Sequence, residues 1–412
     1  MKTSSILRVG VVSALAASAF LSSPSAVLEA QSLDLTVDDV GVSFGDSPRI
    51  QGLRFNFRDR RMEEVKGLNA TIWFPYKDAV GGEVTGIALG LPVTGARSIR
   101  GIALGLGGVG ATDRLVGIGV APAGIGAGGD LRGIMMGAGI GTGGGFSGIG
   151  FGGLGMGVAG DARGAMLAGL GAGVGGSTQG VTVAGLGLGS GGTVRGITVA
   201  GLGLGVGGDA GGVTAAGLGA GVAGDLWGLT AAGLGAAAGG NVQGVSLAGL
   251  GFGAGGDISG LTIVGLGAGA GGSLRGITVA GLAAGSAGPV SGLTIAGIGL
   301  GSGTEVSGVA IAGGGIGAPL VRHLTIGGMA VGAREARDVT IAGGYLRIAD
   351  DGALHGLGTA IVTDVRGTQH GLTIGLVNIA DELRGLQLGL VNIARSNRPG
   401  MRVLPLFNAE FR

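Results

Sequence analysis

The sequence predicts an all-β protein, a glycine-rich parallel β-solenoid of about twenty coils of 14–16 residues with end caps. Three observations carry this prediction. Eight units, beginning at Gly180, Gly196, Gly212, Gly228, Gly244, Gly260, Gly276 and Gly292, follow one another without insertion. Within each unit apolar residues alternate with the period of two that strands require. The composition also leaves few other choices, with 104 Gly and only 9 Pro among 412 residues. Each Gly costs about 1 kcal/mol in a helix interior, and collagen needs Gly at every third position with abundant proline. A mean hydropathy of +0.59 is too apolar for a disordered chain.

The first 30 residues have the order of a secretory signal: Lys2 and Arg8, an apolar stretch from Val9 to Leu21, then small residues through Ala26 and Ala30. The expected cut follows Ala30, with Ala26 as the alternative. The apolar run is shorter than the roughly 20 residues of a spanning helix. Export to the cell surface, outer membrane or periplasm is therefore expected. With no Cys, disulfide scaffolds, thiolate metal sites and thiol-linked lipid anchors are excluded.

Residues 31–85 carry six of the chain's fourteen aromatics: Phe44, Phe55, Phe57, Trp73, Phe74 and Tyr76. Alternation over Leu53 to Phe57 and over Thr71 to Phe74 suggests amphipathic strands that cap the first coil. The run Arg58-Asp59-Arg60-Arg61 is expected as a solvated turn.

The repeat array is expected over residues 86–398. In the unit that starts at Gly196, Ile197 and Val199 take positions 2 and 4, Thr198 takes position 3, and Leu202 and Leu204 take positions 7 and 9. A corner at Ala200-Gly201 would turn both apolar sets inward, and Gly207, Gly208 and Asp209 supply the chemistry of a second turn. Position 15 is apolar and position 16 polar, which suits a short third side. The interior would then hold Val, Ile and Leu, while Gly187 and Gly189 leave a flat outer surface. An outward ladder would be formed by Thr182, Thr198, Thr214, Thr230, Thr262, Thr278 and Thr294, interrupted by Ser246, Ala310 and Gly358. The competing architecture reads positions 2 to 12 as one tilted strand of an antiparallel transmembrane β-barrel. Neither face of such a strand is polar enough for a water-filled lumen. Windows near 196–224 are apolar enough to suggest spanning helices, against which the glycines and recurrent polar turns argue.

Toward the end the units shorten to fourteen residues, GLTIGLVNIADELR and GLQLGLVNIARSNR, and residues 399–412 follow as a C-terminal capping tail. Gly385, Leu386, Gln387, Leu388, Gly389, Leu390, Val391 and Asn392 match the unit G-L-Q-[IL]-G-L-[VI]-N, and Gly371 to Asn378 match it with Thr373 in place of Gln. In this stretch, mainly residues 371–398, the chain resembles a family of bacterial surface-repeat proteins. The resemblance implies an envelope or surface location and supplies no catalytic residue. Phe407 and Phe411 are similar to a barrel-closing strand, although Arg412 stands where a terminal aromatic is expected.

Chemistry is sparse. His355 and His370 share position 16 and could stack in adjacent coils, but two imidazoles without a third ligand make a poor metal site. Asp130, Asp161, Asp209, Asp225 and Asp257 share position 14 without the nine-residue period of calcium-binding glycine-rich repeats. Strings of G-x-G-x-x-G are expected by chance in such a chain, and none opens a βαβ unit. No G-x-S-x-G, H-E-x-x-H or isolated carboxylate pair is present. No enzyme activity, cofactor or metal is expected. A net charge of +1 disfavours nucleic acid as a partner. The expected role is a non-catalytic structural or interaction protein with flat repetitive β faces, self-association or envelope partners, and membrane association as a further option. The alternatives are the integral outer-membrane barrel and ice or carbohydrate binding through the Thr ladder.

Overall fold

The computed structural model describes residues 32–74 and 81–411, so the signal segment lies outside the described residues. The described residues form an all-β parallel solenoid of about 21 turns with coils of about 16 residues, and among them there is no helix and the strands do not close into a barrel. Gly180 and Gly196 are partners on neighbouring parallel strands, which overturns the barrel alternative; the 196–224 window is strand and turn. The chain divides after Ala200 into two compact units.

In the first unit the strand Leu33–Val37 pairs antiparallel with Val40–Phe44. Parallel stacking begins at once: Val40–Phe44 lies on Arg49–Asn56, which lies on Glu64–Thr71, then Glu83–Gly90. The strands Val40–Phe44, Arg49–Asn56, Glu64–Thr71 and Glu83–Gly90 thus stack in parallel, and Leu33–Val37 runs against the first of them. They fill their interior with charge. Arg54, fully buried, donates from Nη2 to Asp46 at 2.9 Å and from Nη1 to Asn69 at 2.7 Å, and also pairs with Asp59. Asp59, expected on a solvated turn, is drawn inside by this guanidinium.

The second unit contains the most regular coils. Each has a seven-residue strand such as Leu226–Ala232, a bend at Gly233 and Leu234, a four-residue strand such as Gly235–Ala238, and a turn at 239–241. The bend falls beside the predicted corner. Long strands stack on long and short on short in unbroken register: Thr214 on Thr230, Thr262 on Thr278, Ala220 on Ala236. Position 1 is the hinge where the short third side joins the long strand. Gly276 there has φ +101°, and a Cβ would strike the carbonyl oxygen of Gly260 stacked beside it. An L-residue rarely adopts that φ, so the column from Gly228 to Gly308 is glycine throughout.

The interior differs from the predicted one along the long strand and at the corner, while position 9, as in Leu204 and Leu300, is buried as expected. Leu226, Thr230, Ala232, Ala236 and Ala238, at positions 15, 3, 5, 9 and 11, are all buried. Positions 2, 4 and 7 point outward. Ile277 is 46% exposed and Leu282 44% exposed. The chain ends with Val403–Glu410, antiparallel to the last long strand. Pro405, which lacks an N–H, lies in this antiparallel strand.

Candidate functional site

The predicted Thr ladder exists as a stack but faces inward. Thr182, Thr198, Thr214, Thr230, Thr262, Thr278 and Thr294 are each 1–2% exposed. Ser246 and Ala310 stand in the same column, as does Gly358 between Thr340 and Thr373. These hydroxyls present nothing to an outside ligand, so an exposed ladder for ice or carbohydrate is corrected. The reason is volume. One coil is about 4.8 Å thick and receives five inward side chains, for which Thr, Ala and one or two larger aliphatics suffice. Ile or Leu at position 2 or 4 would add their bulk to that layer.

What takes the outside is an aliphatic face. In the second unit position 2 runs without a break from Val213 to Leu386 through aligned partners such as Leu261, Ile277, Leu293 and Val309. Position 4 runs beside it from Ala215 to Leu388, with Thr359 its one polar member. The corner carries Leu218, Leu234, Leu250, Leu266, Leu282 and Ile298, each 44–60% exposed, and later Met329, Ile361, Leu376 and Leu390. No charged side chain stands in any of the three columns. Sequence reading missed this face because alternation shows which residues share a side, not which side is inside.

The next side bears almost no side chains outward. Gly205, Gly221, Gly253, Gly269 and Gly301 would each accept a Cβ with nothing within 4 Å. The flat small-residue surface predicted around Gly187 and Gly189 is therefore present at its equivalents.

The position-14 turn side chains bond to the backbone. Asp209 Oδ1 accepts the N–H of Asp225 at 3.0 Å, Asp225 that of Asn241 at 2.7 Å, Asn241 that of Asp257 at 2.9 Å, and Asp257 that of Ser273 at 2.6 Å. The Ser273 N–H holds the Asp257 carboxyl below the usual carboxylate range. Each side chain secures the turn of the next coil. Among the described residues no three His, Asp or Glu side chains converge as a metal site.

His355 and His370 do stack, with ring centroids 4.8 Å apart and planes within 3°. Burial, then the neighbouring His355, lowers the His370 pKa. Their register partners are Arg337 on one side and Arg384 on the other, a cationic setting that does not favour a metal cation. His323 lies elsewhere, at φ +67°, with its Nδ1 accepting the N–H of Gly308 at 3.2 Å.

The units GLTIGLVN and GLQLGLVN fold as coils whose amides point inward. Asn378 donates to Asn392 Oδ1 at 2.8 Å and accepts from Thr363 at 2.7 Å, and Gln387 donates to Gln369 at 3.0 Å. In the first unit a groove of about 350 Å³ is lined by Asp161, Arg163, Ser177, Gln179, Thr193 and Arg195. It is shallow, polar and built of turn residues and the strand residues beside them.

No family model, curated protein or solved structure matches this chain.

Proposed function

We propose that this chain is an exported, non-catalytic structural or interaction protein of a bacterial cell envelope that works through its flat repetitive faces. The aliphatic face of the second unit carries the reading. A soluble monomer's largest apolar patch is about 300–600 Å², whereas this face continues coil after coil without a charge. Such a surface is stable in water only when covered. Its regularity suits a partner that is itself flat or repetitive, and the turn carboxylates are already committed to backbone hydrogen bonds. The resemblance of residues 371–398 to surface-repeat proteins and the signal-like first 30 residues favour the envelope as its place of work.

Fractionation of cells producing the chain tests this. The expected result is an envelope fraction holding the processed protein, released when Leu234→Glu and Leu266→Glu put charges on the aliphatic face. An unprocessed cytoplasmic protein would sink the location, and envelope retention indifferent to both substitutions would sink the role of the face.

A further inference from the structure

We infer that the aliphatic face of the second unit is the dimerisation surface of the protein, taking the same face of a second copy across a two-fold axis. The inference rests on the reading of that face as an interaction surface and adds the identity of the partner.

Area is the first argument. About a dozen coils at roughly 4.8 Å each, spanning about 17 Å from position 2 to the corner at roughly 3.3 Å per residue, make a face of about 1,000 Å². Two such faces together would bury about 2,000 Å², the upper end of the ~1,200–2,000 Å² of a stable standard interface. The second argument is charge. A lipid surface is commonly gripped by Lys and Arg beside an amphipathic face, but no lysine occurs anywhere beyond Lys77. Arg275, at position 16 beside the aliphatic columns, lies 3.8 Å from Asp257, and its neighbours there are Ser259 and Ser291. Arg322, Arg337 and Arg384, at the equivalent place in later coils, are paired with Glu305, Glu335 and Glu382, so an uncharged face flanked by ion-paired arginines matches another of its kind. The third argument is period. Leu250, Leu266 and Leu282 repeat at one strand spacing, so ridges on one copy fall into the spaces of an identical copy. A two-fold arrangement closes after two subunits, because each face is then fully covered.

Sedimentation velocity on the purified full chain tests this. The wild type should sediment as a dimer at micromolar concentration. Leu250→Glu with Leu282→Glu should raise the dimer Kd about a hundredfold or more while the far-ultraviolet circular dichroism stays unchanged. The absence of Cys makes single-cysteine cross-linking unambiguous. Full overlap of two antiparallel copies brings the middle coils together, so Ile298→Cys should form a disulfide-linked dimer and Gly269→Cys, on the bare side, should not. A monomeric wild type, a Glu variant that dimerises like the wild type, or cross-linking at Gly269→Cys but not at Ile298→Cys would each overturn the inference. So would a monomer that floats with neutral phosphatidylcholine vesicles through the same leucines, since lipid would then be the occupant. If the Glu variants lose envelope retention but the wild type is monomeric, the partner assignment fails while the interaction reading stands.

Discussion

The regular coils of residues 210–302 and the C-terminal coils of residues 345–394 both bury aliphatic side chains, such as Leu274 and Leu346, but differ in what fills one interior column. The column that holds Leu300 continues through Ile316, Val331 and Leu346 to Thr363 and Asn378. In the regular coils the column is aliphatic; toward the end it becomes a chain of hydroxyl and amide groups bonded to one another. The inner Thr column likewise ends in Gln387. What both regions keep is the hinge glycine, Gly276 in one and Gly371 in the other, each at positive φ against the carbonyl of the glycine stacked beside it. The coil is therefore defined by its backbone stack, and the interior must be filled and satisfied but need not be apolar.

The strongest test of that shared hinge is Gly276→Val beside Gly371→Val. Both should cost about 3 kcal/mol or more, from a strained φ together with a backbone clash. Chemical denaturation followed by circular dichroism would register the loss, and tolerance of either substitution would separate the two regions.

Next comes an exchange of interiors. Leu300→Asn buries an amide between Ala284 and Ile316 and should cost about 3 kcal/mol. Asn392→Ala removes the acceptor of the Asn378 amide and should cost about 1–3 kcal/mol. Equal tolerance of the two in thermal melts would mean that the regions do not differ in what their interiors demand.

A smaller effect should appear in the C-terminal coils alone. His370 has a lowered folded pKa, so the unfolded chain takes up the proton more readily and stability is lost as pH falls below the ordinary imidazole range, whereas it is complete above it. The protection factors of amides around residues 355–384, relative to the intrinsic exchange rate at each pH, should fall between neutral and mildly acidic pH. His370→Asn should remove that fall and leave residues 210–302 unaffected. An unchanged pH response in the variant would point to another group.

The smallest effect is expected at Gly269, where φ is not positive and a Cβ meets nothing. Gly269→Ala should be neutral or stabilise by about 0.5 kcal/mol, in contrast to Gly276 seven residues on. Marked destabilisation would show that the bare side is needed by the coil itself.

Much of this was legible in the residues. The uninterrupted sixteen-residue spacing from Gly180 to Gly292 gives parallel coils in register, because a constant spacing returns each position to the same place in every turn. Two turn regions per coil follow from the Ala-Gly and Gly-Gly-Asp strings, and the stacking of His355 on His370 from their shared position. The Thr ladder was legible as a column, yet its direction was not. Hydropathy ranks Ile197 and Leu202 above Thr198 for burial, and that ranking misled. The coil encloses too little volume for them, and the hinge glycine sets which side of the strand turns inward.

The sequence by itself determined the period and the parallel stack, both of which follow from local geometry repeated along the chain, whereas the positive-φ hinge at position 1 came with the structure. Only the tertiary structure decided which side is inside, because that choice depends on the volume one closed coil encloses. It left the largest aliphatic side chains outside, as a face that water does not favour.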